Sequence, residues 1–191
     1  LTDSIFYANE VFSNNNSEAF TGISLRASKN TSLTNNVLFF NDFGINLWNS
    51  SHISVMENEL YSHVGWSIGL HASSDNNIAS NNISTSSVMD GIRLVFSSGN
   101  RLMGNNISSG EHSGILLWYD NYDNSIVNNS ILFSGSQGWG HGHGIEILLS
   151  YNNAFANNVI SSSHNQGIVA IETSNNNFTG NLISSNRKGI Q

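Results

Sequence analysis

The chain has 191 residues with a formal net charge of −7, and only six of its residues are Lys or Arg. The lack of a basic run excludes nucleic acid as a partner, because binding to phosphates needs a basic footprint; no stretch reaches the 18 or so apolar residues of a membrane span, and the absence of Cys excludes a disulfide scaffold. Asn and Ser make up about a third of the chain, yet 38% of its residues are hydrophobic, which is enough for one continuous core.

The first repeated element is a short apolar motif, Gly-Ile-x-Leu or a close variant. Its successive starts are separated by 22, 23, 24, 23, 30, 23 and 22 residues. Such a constant period predicts a repeat architecture in which each unit packs against its neighbours. The motif starts at Gly22, Gly44, Ser67, Gly91, Gly114, Gly144, Gly167 and Gly189.

Two further apolar positions follow each motif, the first after 11 or 12 residues and the second five residues later. These short apolar segments are separated by polar corners without hairpin turn signals, so each coil is expected to lie on the previous one. The pattern predicts an all-β fold, a right-handed single-stranded parallel β-helix of about eight coils of about 23 residues. We expect residues 1–191 to form one domain, and because the chain begins and ends inside a repeat, we expect it to be a piece of a longer chain.

An Asn stands between these two further apolar positions, three residues after the first of them. Stacked coils would place these side chains about 4.8 Å apart, where amides can hydrogen-bond along the stack and like charges would cost about 1 kcal/mol per step even in water. We therefore predict an asparagine ladder. Its members are Asn9, Asn36, Asn58, Asn81, Asn105, Asn129, Asn158 and Asn181.

The repeat unit, seen clearly in the segment DNNIASNNI from Asp75 to Ile83, resembles the NosD-like and carbohydrate-binding/sugar-hydrolase families of parallel β-helix repeats. The resemblance implies a pectin-lyase-like fold and a location that is extracellular, at the cell surface or periplasmic. Relatives of this kind include polysaccharide lyases, glycoside hydrolases, epimerases, surface proteins and accessory factors for copper enzymes. Fold alone does not choose among them.

Three functions therefore stay open. The first is a secreted or cell-surface domain that binds, and in an enzymatic version cleaves, a polysaccharide or another glycan. The second is a structural surface-layer, sheath or adhesin module without catalysis. The third is a NosD-like accessory domain for copper. The sequence identifies no cofactor.

The variation in coil length falls in one corner, between the ladder Asn and the next Gly, and candidate catalytic residues cluster there. The segment Gly142-His143-Gly144-Ile145 resembles the active-site segment of polygalacturonases, and Met89-Asp90-Gly91-Ile92 is similar to the Asp-Gly-Ile segment of those enzymes. The intervening coil has Glu111-His112 where those enzymes have a pair of Asp. Glycoside hydrolysis uses two carboxyl groups, so a lyase or hydrolase would depend on Asp90, Glu111 and His143.

The same corner is rich in His, which predicts an alternative metal site. His112, His141, His143 and His164 come from three successive coils, and the spacing of His141 and His143 would place both rings on one side of a strand. Three imidazoles suit zinc or copper.

Aromatic residues suggest two binding surfaces. Alternation along the Gly-Ile strand predicts an exposed stripe of Trp48, Val95, Trp118 and Leu148, which is more apolar than a free surface needs. Such a stripe suits sugar stacking by Trp48 and Trp118, and it equally suits packing against neighbouring domains or subunits. Trp66 beside the corner, and Trp139 in the longest insertion, are predicted sugar platforms.

Overall fold

In a computed structural model, the described residues form a parallel β-solenoid of 24 strands. The structure describes residues 1–12, 20–84, 89–108, 111–132 and 142–191, so Trp139 and His141 lie outside the described residues. Eight parallel strands form each of three sheets, with seven steps between them. The predicted repeat architecture of coils of about 23 residues is confirmed. No helix long and apolar enough to cross a membrane occurs in the ranges described.

Each coil contributes one strand to each sheet. The first sheet consists of β1 (Ile5–Tyr7), β4 (Ser32–Thr34), β7 (Ser54–Met56), β10 (Asn77–Ala79), β13 (Arg101–Met103), β16 (Ser125–Val127), β19 (Ala154–Ala156) and β22 (Asn177–Thr179). The second consists of β2 (Glu10–Phe12), β5 (Val37–Phe39), β8 (Glu59–Tyr61), β11 (Asn82–Ser84), β14 (Asn106–Ser108), β17 (Ser130–Leu132), β20 (Val159–Ser161) and β23 (Leu182–Ser184). The third contains the Gly-Ile motifs: β3 (Thr21–Arg26), β6 (Phe43–Trp48), β9 (Ile68–His71), β12 (Ile92–Val95), β15 (Ile115–Trp118), β18 (Ile145–Leu148), β21 (Gln166–Ile171) and β24 (Lys188–Ile190).

The core is one continuous cluster of buried side chains, nearly all of them aliphatic, inside the three sheets. Equivalent residues pair in register, so that Ile92 lies between Ile68 and Ile115. All three side chains are fully buried. Because side chains alternate across a strand, the residues between these Ile and Leu positions face outward, and the outward residues of the third sheet form the candidate site.

The predicted asparagine ladder is confirmed from Asn9 to Asn181. Asn105 shows the pattern: its Nδ2 donates to the carbonyl of Ile78 and to Oδ1 of Asn129, both at 2.9 Å. Its Oδ1 accepts the backbone N–H and the Nδ2 of Asn81, both at 3.0 Å. A second ladder, which the sequence analysis did not find, lies at another corner and consists of Asn76, Asn100, Asn124, Asn153 and Asn176.

Close stacking of the coils explains the repeated Gly before the third-sheet strand, a position that Ser67 occupies in one coil. A Cβ at Gly144 would overlap the side chain of Ile160 and lie 2.6 Å from the carbonyl oxygen of Gly167. Gly189 occupies the same repeat position in the last coil, and a Cβ there would meet nothing within 4 Å.

We expect Gly144→Ala to lower the free energy of unfolding by about 1–3 kcal/mol, because an extra methyl group in a packed interior forces neighbours to move. Gly189→Ala is the matched control and should change it by less than about 0.5 kcal/mol. Denaturant unfolding of both variants measures the difference. Equal effects at the two positions would show that stacking does not impose the Gly.

Candidate functional site

The candidate site is a cavity of about 310 Å³ on the outer face of the third sheet, which we call the third-sheet cleft. Strands β12, β15 and β18 form its floor, because Arg93, Leu116 and Glu146 are paired in register and point outward. Two residues further along β15 and β18, on the same outer face, Trp118 pairs with Leu148. The cleft is lined by Met89, Arg93, His112, Leu116, Trp118, Glu146 and Leu148.

A buried carboxyl group holds His112 at the edge of this cleft. Asp90 is fully buried just before β12, and its Oδ1 lies 2.5 Å from Nδ1 of His112. The same oxygen accepts the backbone N–H of Ser113 at 3.3 Å. The other oxygen, Oδ2, has no hydrogen-bond partner among the residues that the structure describes. The arrangement fixes the orientation of the His112 ring, which remains 22% exposed.

The surroundings of His112 favour its protonated form. Burial acts to lower the pKa of His112, but the hydrogen bond and negative charge of Asp90, together with the charge of Glu146, raise it above the ordinary value of 6.5. The positive charge of Arg93 opposes this rise. His112 therefore stays protonated to a higher pH than an ordinary histidine.

Ser113 connects Asp90 to a second carboxyl group. Its hydroxyl donates to Oε2 of Glu146 at 2.7 Å, while its backbone N–H donates to Asp90. Glu146 is only 3% exposed, although it lines the cleft. The two carboxyl groups come from coils two apart and are bridged by one residue of the coil between them.

Arg93 lies between two indole rings. Its guanidinium carbon is 5.1 Å from the ring centre of Trp66 and 4.4 Å from that of Trp118. Trp66 is fixed by its Nε1–H, which donates to Oδ1 of Asn46 at 2.5 Å. Its ring lies over Gly69, where a Cβ would contact both the ring and the Asn46 amide. A glycine in the outward row of the third sheet thus makes room for the indole that holds Arg93.

The three residues predicted to be catalytic do not come together in the third-sheet cleft. Asp90 bonds to His112 and Ser113, and neither Glu111 nor His143 lines the cleft. His143 is buried before β18, and its Nδ1 accepts the backbone N–H of Gln166 at 3.4 Å. Glu111 is half-buried.

The predicted metal ligands do not gather within the described part of the chain. No group of three or more His, Asp or Glu side chains there could hold a metal ion. In His112 and His143 one ring nitrogen already has a protein partner, Asp90 and a backbone amide respectively. His164 is half-buried, and His141 belongs to the undescribed residues.

Among the described residues, the Trp side chains predicted to bind sugar have ring faces that contact protein groups. Trp48 stacks on His71 with ring centres 4.0 Å apart, and Arg26 lies over its ring at 5.4 Å. Trp66 and Trp118 share Arg93. A sugar would therefore meet the edges of these rings and the polar groups beside them.

The predicted apolar stripe is exposed only in part. Trp48 is 37% exposed, and Trp118 and Leu148 are half-buried. The prediction is wrong for Val95, which is 8% exposed because it lies between its larger ladder neighbours His71 and Trp118.

Sequence reasoning missed Arg93, Ser113 and Glu146. The sequence feature that could have identified two of them is the outward position two residues after the repeated Gly, where most coils have a small or uncharged residue. Arg93 and Glu146 carry opposite charges in that slot, two coils apart. Charged side chains that are largely buried in the middle of a strand often belong to a functional site.

Solved structures with the same fold include two epimerases and a DFA-IIIase. The periplasmic alginate epimerase AlgG is 17% identical, with a TM-score of 0.70 over 90% of this chain and 47% of its own. The lidless form of DFA-IIIase from Arthrobacter chlorophenolicus is 14% identical, with a TM-score of 0.74 over 86% and 45%. The A-module of the mannuronan C-5 epimerase AlgE6 from Azotobacter vinelandii is 13% identical, with a TM-score of 0.61 over 96% and 57%. At these identities the likeness shows the fold, and the chain spans about half the length of each.

No curated protein matches the sequence significantly. A family model matches residues 4–139, and its description is periplasmic copper-binding protein (NosD). This match covers more than half of the chain and agrees with the repeat and with the solenoid fold. The chain therefore belongs to the NosD family.

Proposed function

We propose that the chain is a domain acting outside the cytoplasm that binds a polysaccharide in the third-sheet cleft. The observation that carries this proposal is the grouping of Arg93, His112 and Glu146 around one open cavity beside Trp118. Ligand sites typically combine a mainly apolar lining with a few convergent polar groups. Two solved neighbours, an alginate epimerase and a mannuronan epimerase, are carbohydrate-active proteins by name, and the description of the family is periplasmic.

The lining of the cleft matches the chemistry of a sugar chain. Leu116 and Leu148 offer apolar surface for the C–H faces of a sugar ring. Glu146 presents acceptors for hydroxyl groups, and Arg93 presents donors. These groups stand on three successive strands, about 5 Å apart, which is the length of one sugar unit along an extended chain.

The test is retention on a panel of immobilised neutral and uronic-acid polysaccharides, with chain length followed in parallel. Leu148→Trp should abolish retention, because the larger side chain fills the cleft that Leu148 lines. The matched control is Val159→Trp, at a position that is 40% exposed on the second sheet, and it should bind like the parent. Absence of retention on every polysaccharide, or equal loss in both variants, would contradict the proposal.

The Asp90–His112 pair supports a second candidate, an enzymatic version of the same site. A buried carboxylate that orients an imidazole is a common arrangement for general acid–base catalysis. Here His112 would donate or accept a proton at its Nε2 while Asp90 holds Nδ1. Shortening or epimerisation of a retained polysaccharide, lost in Asp90→Asn, would favour this version, whereas retention without chemical change would favour a binding domain.

The other two functions, a copper accessory role and a structural module, predict different results for the same protein sample. The family description names copper, but the described residues provide no set of donors that fits it, so we derive no step through a metal. Copper bound at one equivalent and lost in His143→Ala would favour the accessory role. A structural module would assemble with increasing concentration, through apolar residues such as Trp48 and Ile171, and would retain no glycan.

A further inference from the structure

Given the proposed polysaccharide-binding function, we infer that the third-sheet cleft selects glycans carrying carboxylate groups, with Arg93 as the residue that recognises the carboxylate. The inference rests on how Arg93 is held and on which charged groups of the cleft are already paired. The proposed function requires only that a sugar chain binds in the cleft, whereas selection by Arg93 would restrict the ligands to acidic glycans.

The stacking of Arg93 leaves the edge of its guanidinium available. Its guanidinium carbon lies over the rings of Trp66 and Trp118, at 5.1 and 4.4 Å from their centres. Its five N–H groups point outward in the plane of the guanidinium. Within the described ranges Arg93 forms no ion pair, and its Nε is buried without a hydrogen-bond partner. An unpaired buried donor is unfavourable, so a ligand acceptor in that plane would satisfy it.

A carboxylate is the acceptor that matches this edge. Two parallel N–H groups of a guanidinium bind two carboxylate oxygens in a bidentate arrangement, and such charge-assisted bonds are stronger than bonds to a neutral hydroxyl. The indole rings hold the guanidinium in one orientation, so little side-chain freedom is lost when the ligand binds.

The two acidic side chains near Arg93 bond to other groups and do not pair with its guanidinium. Asp90 is fully buried and bonds to His112 and Ser113. Glu146 is 3% exposed and accepts from Ser113. The charged groups with greater exposure in the cleft are Arg93 and His112, both of which are positive when protonated. A ligand entering the cleft therefore meets positive charge first.

The test compares uronic-acid oligosaccharides with the same molecules after reduction of each carboxylate to a hydroxymethyl group. Oligogalacturonate, oligomannuronate and oligoglucuronate are the probes, each paired with its reduced form. We expect the parent to bind at least one acidic oligosaccharide about tenfold or more tightly than its reduced partner. Arg93→Gln should lose this preference, because it should weaken binding of the acidic form much more than binding of the reduced form. Arg93→Lys, which keeps the charge without the bidentate edge, should retain only part of it.

Controls separate this inference from the proposed function and from a purely structural role. Arg101→Gln, at an exposed position on the first sheet, should bind like the parent. Equal binding of acidic and reduced forms would overturn the inference and leave polysaccharide binding intact. Equal loss of both forms in Arg93→Gln and Arg93→Lys would show that Arg93 only supports the cleft. Tight Arg93-dependent binding of a sulfated neutral oligosaccharide would overturn the choice of carboxylate, and no binding of any probe would refute the proposed function as well.

Discussion

Replacing Asn105 by alanine is expected to lower the free energy of unfolding by about 3–5 kcal/mol. The side chain forms four hydrogen bonds within the ladder, to groups of Ile78, Asn81 and Asn129. In the variant, the N–H of Asn81 and the carbonyl of Ile78 lose these partners in a buried environment. Each buried polar group left without a partner costs about 1–3 kcal/mol, and the small cavity left by the amide adds to the loss.

Asn106→Ala is the matched control for this measurement. Asn106 follows Asn105 directly, but its side chain is exposed and forms one bond, to Asn82. It should change the free energy of unfolding by no more than about 0.5 kcal/mol. Denaturant unfolding of both variants gives the comparison. Similar losses in the two variants would mean that the ladder amides contribute no more than surface asparagines.

Asp90→Asn is expected to move the pKa of His112 from above 6.5 to below it. In the parent, burial lowers this pKa, and the bond and charge of Asp90 together with the charge of Glu146 outweigh it. Removal of the Asp90 charge leaves burial as the largest influence, with Arg93 acting in the same direction and only Glu146 opposing. Titration of the imidazole nitrogens by NMR measures the change. Asp123→Asn, at an exposed position, should leave the pKa of His112 unchanged.

The same substitution reverses the sign of the His112 contribution to stability. With its pKa raised, the parent His112 stabilises the fold fully below pH 6.5, and this contribution is lost as the pH rises through the folded pKa. In Asp90→Asn the contribution becomes unfavourable as the pH falls below 6.5. A pKa of His112 that stays above 6.5 in the variant would contradict the pairing with Asp90.

The titration must be followed at His112 itself because two other histidines also change the stability of the fold in acid. Burial lowers the pKa of both His63 and His71 to about 4. Their neutral forms are the ones the fold accommodates, so the chain should lose stability as the pH falls from 6.5 toward 4. Nε2 of each is buried and has no hydrogen-bond partner among the described residues, which agrees with neutral rings shielded from solvent.

The fold was predictable because each coil repeats the same pattern of residues. The Gly, the three apolar positions and the ladder Asn recur at fixed offsets, and stacking then follows from strand spacing. The close approach at Gly144 and the four bonds of Asn105 explain why these residue types recur. The second ladder was missed because Ser and Asn alternate with other polar residues at that corner.

The candidate site was predictable only in part because it depends on contacts between coils at the variable corner. Asp90 and His112 were both identified, but in different roles, and their pairing depends on the conformation of the corner rather than on the repeat. Arg93 and Glu146 were visible as outward residues of the third sheet. Their importance follows from the covering of that face by Trp66 and Trp118, which period and composition do not reveal.

The most direct test of the binding site is an NMR titration of the indole N–H signals with the oligosaccharide that binds most tightly. We predict that the signals of Trp66 and Trp118, which flank Arg93, shift with ligand concentration. The signal of Trp48, whose ring is stacked between Arg26 and His71, should move little. Saturable binding that leaves Trp66 and Trp118 unperturbed would place the ligand elsewhere and contradict the assignment of the third-sheet cleft.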